Sequence, residues 1–264
     1  MKYIFQTSRP KQWIKNLLVF AAPIFAFNFK TEILLYAFSS LICFCMLSSG
    51  IYFLNDALDV DKDKLHPTKR KRPIASGKIS IGNAFFISFI LIIISIIFGF
   101  TLLPNLGLIL IIYFLVQFLY CFLLKNKPIL DIFCISSGFL LRSIAGGLNG
   151  DIPLSPWFIL SIGLLALFLA IEKRKAEIVL YLENGKVTRN VLKIYSLTLL
   201  NKFENIVSTS TFITYSLWAS GPSLNGASSP WMLITIPYVL YGIFRYQFIS
   251  DSNMRRKKLE FKNV

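Results

Sequence analysis

Residues 55 to 63 read Asn-Asp-Ala-Leu-Asp-Val-Asp-Lys-Asp, in a chain with only 13 Asp and Glu against 28 Lys and Arg. On a helix, Asp56, Asp59 and Asp63 fall at i, i+3 and i+7, and Asn55 joins them through the i, i+4, i+8 row, so one face carries three carboxylates and an amide. Two carboxylates about 6 Å apart repel by roughly 1 to 3 kcal/mol at an effective dielectric between 80 and 20. A divalent cation removes that penalty, and carboxylate and amide oxygens are the hard donors Mg²⁺ takes, usually with substrate phosphates completing its shell. Asp56, Asp59 and Asp63 are therefore the candidate metal and catalytic residues, with Asn55 beside them. The competing reading is a solvated loop, because Asp and Lys alternate from Asp59 to Lys64.

Just downstream, Lys69-Arg-Lys-Arg72 places four successive cations near the acids, with His66 before them and Gly77 and Lys78 beyond. Acids that hold an ion next to bases that take free oxygens suit a substrate with phosphate groups and bound metal. Anionic lipid headgroups would be attracted by the same run. A second polar stretch opens with Glu172-Lys-Arg-Lys-Ala-Glu177, where Lys173 and Arg174 lie at i−4 and i−3 to Glu177 and share its helical face, although a basic flank with incidental ion pairs reads the same way. Asp131 and Arg142 are eleven residues apart, about three turns, and so nearly in line along one helix. An Arg at membrane depth has to face a cavity or a partner, unless it serves structure or snorkels outward. Arg9 to Asn16, with Lys15 and Asn16, and Lys125 near Tyr120, would suit a lipid phosphate or simply lipid headgroups.

These residues are carried by a chain of 264 residues that is 55% hydrophobic and 15% aromatic. Its apolar residues form runs of about 17 to 25, the length that crosses a bilayer of about 30 Å. Eight spans are expected, at 14 to 29, 31 to 54, 81 to 103, 106 to 124, 129 to 149, 153 to 171, 203 to 220 and 230 to 249. The fold class is an all-α polytopic bundle. Of the 28 Lys and Arg, all but Lys30 and Arg142 fall on one side of this arrangement, which gives a multi-pass protein with both termini cytoplasmic. That sidedness accounts for the net charge of +15 and argues against nucleic-acid binding. Basic residues precede Leu17 to Phe29 without a small-residue cleavage site after it, so this run reads as a first membrane helix and not as a signal peptide. Cys43, Cys45, Cys121 and Cys134 lack zinc-site spacing and read as packing residues.

The chain reads as one integral-membrane domain over 1 to 264, with a basic tail from 250 to 264. Its long polar loops, 55 to 80 and 172 to 202, follow spans four helices apart, as in two four-helix halves. Ionisable residues gather at the cytoplasmic mouth. A transporter would spread them along a path through the midplane.

The Asn-Asp-x-x-Asp-x-x-x-Asp motif at the end of a second helix resembles the UbiA-type intramembrane prenyltransferases. Together with Arg9 to Asn16, His66 to Gly77, Asp131 to Gly147 and Tyr241 to Tyr246, it is similar to their decaprenyl-phosphate phosphoribosyltransferase branch, over about residues 8 to 250. The resemblance implies a bacterial inner-membrane enzyme that moves 5-phosphoribose from phosphoribosyl pyrophosphate to a polyprenyl phosphate with Mg²⁺. It implies that Asn55, Asp56, Asp59 and Asp63 hold Mg²⁺ and pyrophosphate, that Lys69, Arg70 and Arg72 lie near the phosphates, and that Lys173, Arg174 and Glu177 match a second motif, Gly-Lys-Arg-Tyr-Ala-Glu. Lys15, Asn16, Lys125, Asp131 and Arg142 are the remaining candidate substrate-binding residues. Two departures stand out. Glu172 and Lys175 replace the Gly and Tyr of that motif, and eight spans are expected where the superfamily typically has nine, the ninth apparently missing. A prenyl transfer from a diphosphate to an aromatic acceptor would use the same acids, so the choice between the two rests on the other blocks.

Overall fold

The computed structural model describes residues 1 to 66, 68 to 148, 152, 154 to 184, 190 to 221, 226, 227 and 229 to 262. Among these every regular element is helical: α1 Lys2–Thr7, a 3₁₀ stretch Pro10–Phe20, α2 Ala21–Phe25, α3 Thr31–Leu58, α4 Val60–Leu65, α5 Ile81–Leu102, α6 Pro104–Phe122, α7 Leu130–Gly147, α8 Pro156–Asn184, α9 Leu197–Ser220 and α10 Ile236–Lys262, with short 3₁₀ turns between. The starts follow local chemistry. Ser80 and Ser196 cap α5 and α9 by accepting the N–H of Asn83 and Leu199, and Pro104 and Pro156 open α6 and α8, where a missing N–H costs nothing.

Six helical segments are long and apolar enough to cross a membrane: Thr31–Leu58, Ile81–Leu102, Pro104–Phe122, Leu130–Gly147, Pro156–Leu182 and Pro230–Ser252. On α5, Phe86 and Phe89 are 65% and 66% exposed, a surface suited to lipid tails. The protein is a multi-pass membrane protein.

Two of the eight expected spans differ. The run 14 to 29 is not one α-helix: it is a 3₁₀ stretch followed by the five-residue α2. In an α-helix the Val19 carbonyl would accept the N–H of residue 23, which is Pro23 and has none. The polar side chain of Asn16, buried in the same stretch, is committed to other partners described below. The run 203 to 220 forms the helix α9, but its many hydroxyl residues place it outside the six apolar segments.

Contacts divide the chain into two compact units, residues 1–122 with 141–152, and residues 123–140 with 153–264. The polar loops 55 to 80 and 172 to 202 fall one in each.

In the first unit, α3 packs closely on α5 through small and hydroxylated residues. Ser88 donates to the Gly50 carbonyl at 2.7 Å and Ser95 to the Cys43 carbonyl at 2.8 Å, both wholly buried. A Cβ at Gly50 would come within 2.9 Å of Ile92. This is how helices associate where lipid removes the hydrophobic drive between them. Ser95→Ala is expected to lower stability in detergent by about 0.6 kcal/mol, with about 1.7 kcal/mol as the ceiling, read from thermal unfolding. Phe44, Leu47, Leu106 and Leu110 form the core of this unit, and Ile132, Ile171, Ile178, Leu192 and Leu200 that of the second.

Candidate functional site

In the first unit the acid run does not keep one face. Helix α3 ends at Leu58, Asp59 leaves helical geometry at φ −98° and ψ 13°, and α4 begins at Val60. Asp56 and Asp63 stay inward, with side chains 3% and 5% exposed, while Asp59 turns toward Lys62 at 3.8 Å and Asp61 toward Lys64 at 3.4 Å. The expected trio is thus a buried pair and an outlying third.

Arg72 brings that pair together. Its Nη1 donates to Asp56 Oδ1 at 3.0 Å and to Asp63 Oδ2 at 2.7 Å. Arg9 donates to the same Asp56 oxygen and lies over the Tyr52 ring, 4.7 Å from its centre. Its backbone sits in the left-handed region at φ 52°, a conformation a non-glycine residue adopts at a cost. Of the remaining cations in this loop, Arg70 is exposed and Lys69 is half-buried. His66 caps their 3₁₀ turn: its Nδ1 accepts the N–H of Thr68 and of Lys69. Asn55 is half-buried beside Asp56.

Among the described residues no three His, Cys, Asp or Glu side chains converge as a metal site. Two hard carboxylates do converge on one positive atom, and Mg²⁺ commonly takes only one or two carboxylates from a protein when phosphates supply the rest. Asp56 and Asp63 therefore fit the ion, with Asp59 one turn away. Of the three expected metal-binding carboxylates, Asp56 and Asp63 meet on Arg72, and Asp59 lies beside Lys62.

A second cluster of the same unit surrounds Arg142, which is 5% exposed. Its Nε donates to Asn16 Oδ1 at 2.7 Å and its Nη2 to Tyr113 Oη at 2.6 Å, with the guanidinium stacked 4.8 Å from the Tyr113 ring centre. Asn16 Nδ2 in turn reaches Cys45 Sγ at 3.2 Å and Ser48 Oγ at 3.4 Å. Lys15 is half-buried in the same 3₁₀ stretch. Trp13 donates to Ser49 at 3.1 Å, and so packs inward on α3.

In the second unit Asp131 is paired with a residue of another helix. Arg174 and Asp131 are both fully buried, and Arg174 Nε donates to Asp131 Oδ2 at 2.6 Å. Tyr195 donates its hydroxyl to the other oxygen, Oδ1, at 2.8 Å, and accepts the Ile129 N–H at 2.6 Å. Burial, and then the neighbouring carboxylate, hold the Tyr195 phenol above its ordinary pKa, so it remains a donor. Arg174 also bonds Glu177, whose side chain is 22% exposed, while Lys173 is exposed. Arg174 and Asp131 thus make a buried pair, with Glu177 half-buried against Arg174 and Lys173 exposed. Lys125 is half-buried in the 3₁₀ turn before α7.

The two departures from the family motif are partners of each other. Lys175 Nζ lies 2.8 Å from Glu172 Oε1, and it also bonds Glu204 on α9, whose other oxygen accepts from Gln247 on α10 at 2.8 Å. Glu172 would be an unpaired buried charge without Lys175.

Sequence reasoning missed Tyr113, Tyr195, Glu204 and Gln247, none of which lies in a motif. Arg9 was legible only as part of the basic run before the first span.

A sequence profile of the UbiA prenyltransferase family matches residues 17–263. The decaprenyl-phosphate phosphoribosyltransferase of Mycolicibacterium smegmatis is 38% identical over 267 residues, spanning 95% of this chain and 83% of that protein. The enzyme of the same name from Corynebacterium glutamicum is 40% identical over 247 residues, spanning 90% and 74%. In fold, the chain matches a UbiA homolog from Archaeoglobus fulgidus bound to DMAPP and Mg²⁺, with a TM-score of 0.79 at 19% identity over 96% of this chain and 88% of that one. The chain belongs to the UbiA prenyltransferase family.

Proposed function

We propose that this protein transfers 5-phosphoribose from phosphoribosyl pyrophosphate to a polyprenyl phosphate and releases pyrophosphate, at the cytoplasmic face of a bacterial plasma membrane with both termini inside. The observation that carries the choice of phosphoribose over a prenyl group is the near full-length similarity to two phosphoribosyltransferases, at 38% and 40% identity.

The first unit supports this chemistry with its own residues. Breaking the anomeric C–O bond puts charge on the departing pyrophosphate and oxocarbenium character on the sugar. Mg²⁺ held by Asp56 and Asp63 would neutralise the leaving group. Arg72, together with Lys69 and Arg70 of the same loop, would hold the remaining phosphate oxygens, and guanidinium suits them because its planar fork matches phosphate as well as carboxylate. No side chain has to remove a proton, since the acceptor phosphate is already an anion. That is consistent with the lone His66 serving as a cap.

In the second unit Lys173 and Glu177 are the residues we assign to substrate. Arg174 and Asp131 are assigned to hold them in place. Lys15, Asn16 and Arg142 are assigned to the acceptor phosphate region, and Lys125 to headgroup contact.

Asp59→Asn is a sensitive test, because Asp59 is only partly buried and its replacement keeps both carboxylates of the buried pair. Transfer is expected to fall on the order of 100-fold, as when an outer partner of a metal site is removed, with thermal unfolding unchanged. Mg²⁺-dependent transfer retained at the wild-type rate would remove Asp59 from the site.

A further inference from the structure

The acid pair of the first unit is already neutral without a metal. Asp56 and Asp63 carry two negative charges at 2% and 3% exposure, and Arg72 and Arg9 supply two positive ones, Arg72 through a single nitrogen shared by both carboxylates. The third acid, Asp59, has Lys62. A divalent cation entering this set alone would leave an excess of two positive charges beside guanidiniums that are only 27% exposed and have lost their carboxylate partners, which is unfavourable. Entering with a diphosphate, it brings its own counter-charge, and the guanidiniums gain phosphate oxygens in exchange for carboxylate oxygens. Arg9 is poised for such an exchange: its left-handed backbone is unfavourable for a residue with a Cβ, and its side chain is 27% exposed.

We propose that Arg72, assisted by Arg9, bars the Asp56–Asp63 pair to Mg²⁺ alone and admits it together with a diphosphate group. Each ligand then raises the affinity for the other by the same factor, because coupling between two bound ligands is reciprocal. The inference rests on the proposed phosphoribosyl pyrophosphate reading only for which diphosphate is used.

Mg²⁺ titrations of the purified full-length protein in detergent, with and without saturating methylenediphosphonate, a non-hydrolysable diphosphate, provide the test. Binding is read by calorimetry after allowance for the complex that the two form in solution. In the wild type, the diphosphonate is expected to lower the half-saturating Mg²⁺ concentration by about tenfold, within the usual range of coupling. In Arg72→Gln, Mg²⁺ alone should bind about tenfold more tightly than it does to the wild type, and the diphosphonate should add little. Arg9→Gln should move both quantities the same way by less, since Arg72 still holds both carboxylates. Equal Mg²⁺ affinity with and without diphosphonate in the wild type would overturn the proposal, as would an Arg72→Gln protein that binds like the wild type. Should Arg72→Gln not fold, Arg72→Lys, which keeps the charge and loses the fork, is expected to show weakened coupling, and wild-type coupling there would overturn the proposal equally. Coupling without phosphoribosyl transfer rejects only the substrate reading. Transfer without coupling rejects only the arginine lock.

Discussion

Asp131→Ala is expected to destabilise the protein by about 3 kcal/mol, at the low end of the cost of breaking a buried ion pair, because Arg174 loses one carboxylate partner and keeps Glu177. Asp131 and Arg174 have no exposed side-chain surface, and their 2.6 Å contact joins the start of α7 to the middle of α8 within the second unit. The same carboxylate receives the Tyr195 hydroxyl at 2.8 Å, so its loss also strands a buried phenol. Asp131→Asn keeps the shape and one acceptor and should lose less. Thermal unfolding in detergent measures both. An Asp131→Ala protein that melts like the wild type yet fails to transfer would make Asp131 a substrate ligand, against the pairing seen here.

Gly146→Ala is expected to be about as damaging, roughly 3 kcal/mol or more, at the upper end of overpacking costs. A Cβ there would lie 1.7 Å from the Val19 carbonyl oxygen, 2.6 Å from its carbon and 3.1 Å from the Val19 Cα. Those are backbone atoms, so no rotamer change relieves the overlap. The 3₁₀ stretch would have to move away from α7 and carry Asn16 off Arg142, losing the 2.7 Å bond. Gly242→Ala on α10 is the matched control. No atom lies within 4 Å of its added Cβ, and it should be neutral or gain up to about 1 kcal/mol from helix propensity. Similar melting for both glycine variants would contradict the close approach of α7 to Val19.

Both positions mark where the sequence stops being informative. Helical periodicity relates residues within one helix, so the Arg174–Glu177 contact at i, i+3 could be read directly, and so could most of the apolar spans. It says nothing of partners on other elements. Asp131 and Arg142 sit three turns apart on α7, nearly in line, and spacing alone names a partner for neither. The structure instead gives Asp131 to Arg174, 43 residues away, and Arg142 to Asn16, 126 residues away. The acid run was legible as chemistry, but its geometry was not: the helix break at Asp59 and the arrival of Arg72 and Arg9 decide which carboxylates share a cation. The first span misled for a local reason, since Pro23 withdraws a donor from an otherwise apolar run and Asn16 is committed to Arg142. Glu172 and Lys175 were visible as departures from a family motif, and their pairing through Glu204 was invisible until α9 was in place.

The central claim is that phosphoribose is the group transferred. Membranes containing the protein, supplied with Mg²⁺, polyprenyl phosphate and phosphoribosyl pyrophosphate labelled in the ribose, should accumulate label in the lipid extract and release pyrophosphate in equal amount. An unlabelled lipid extract from protein that is folded, together with prenylation of an aromatic acceptor from a prenyl diphosphate, would contradict it.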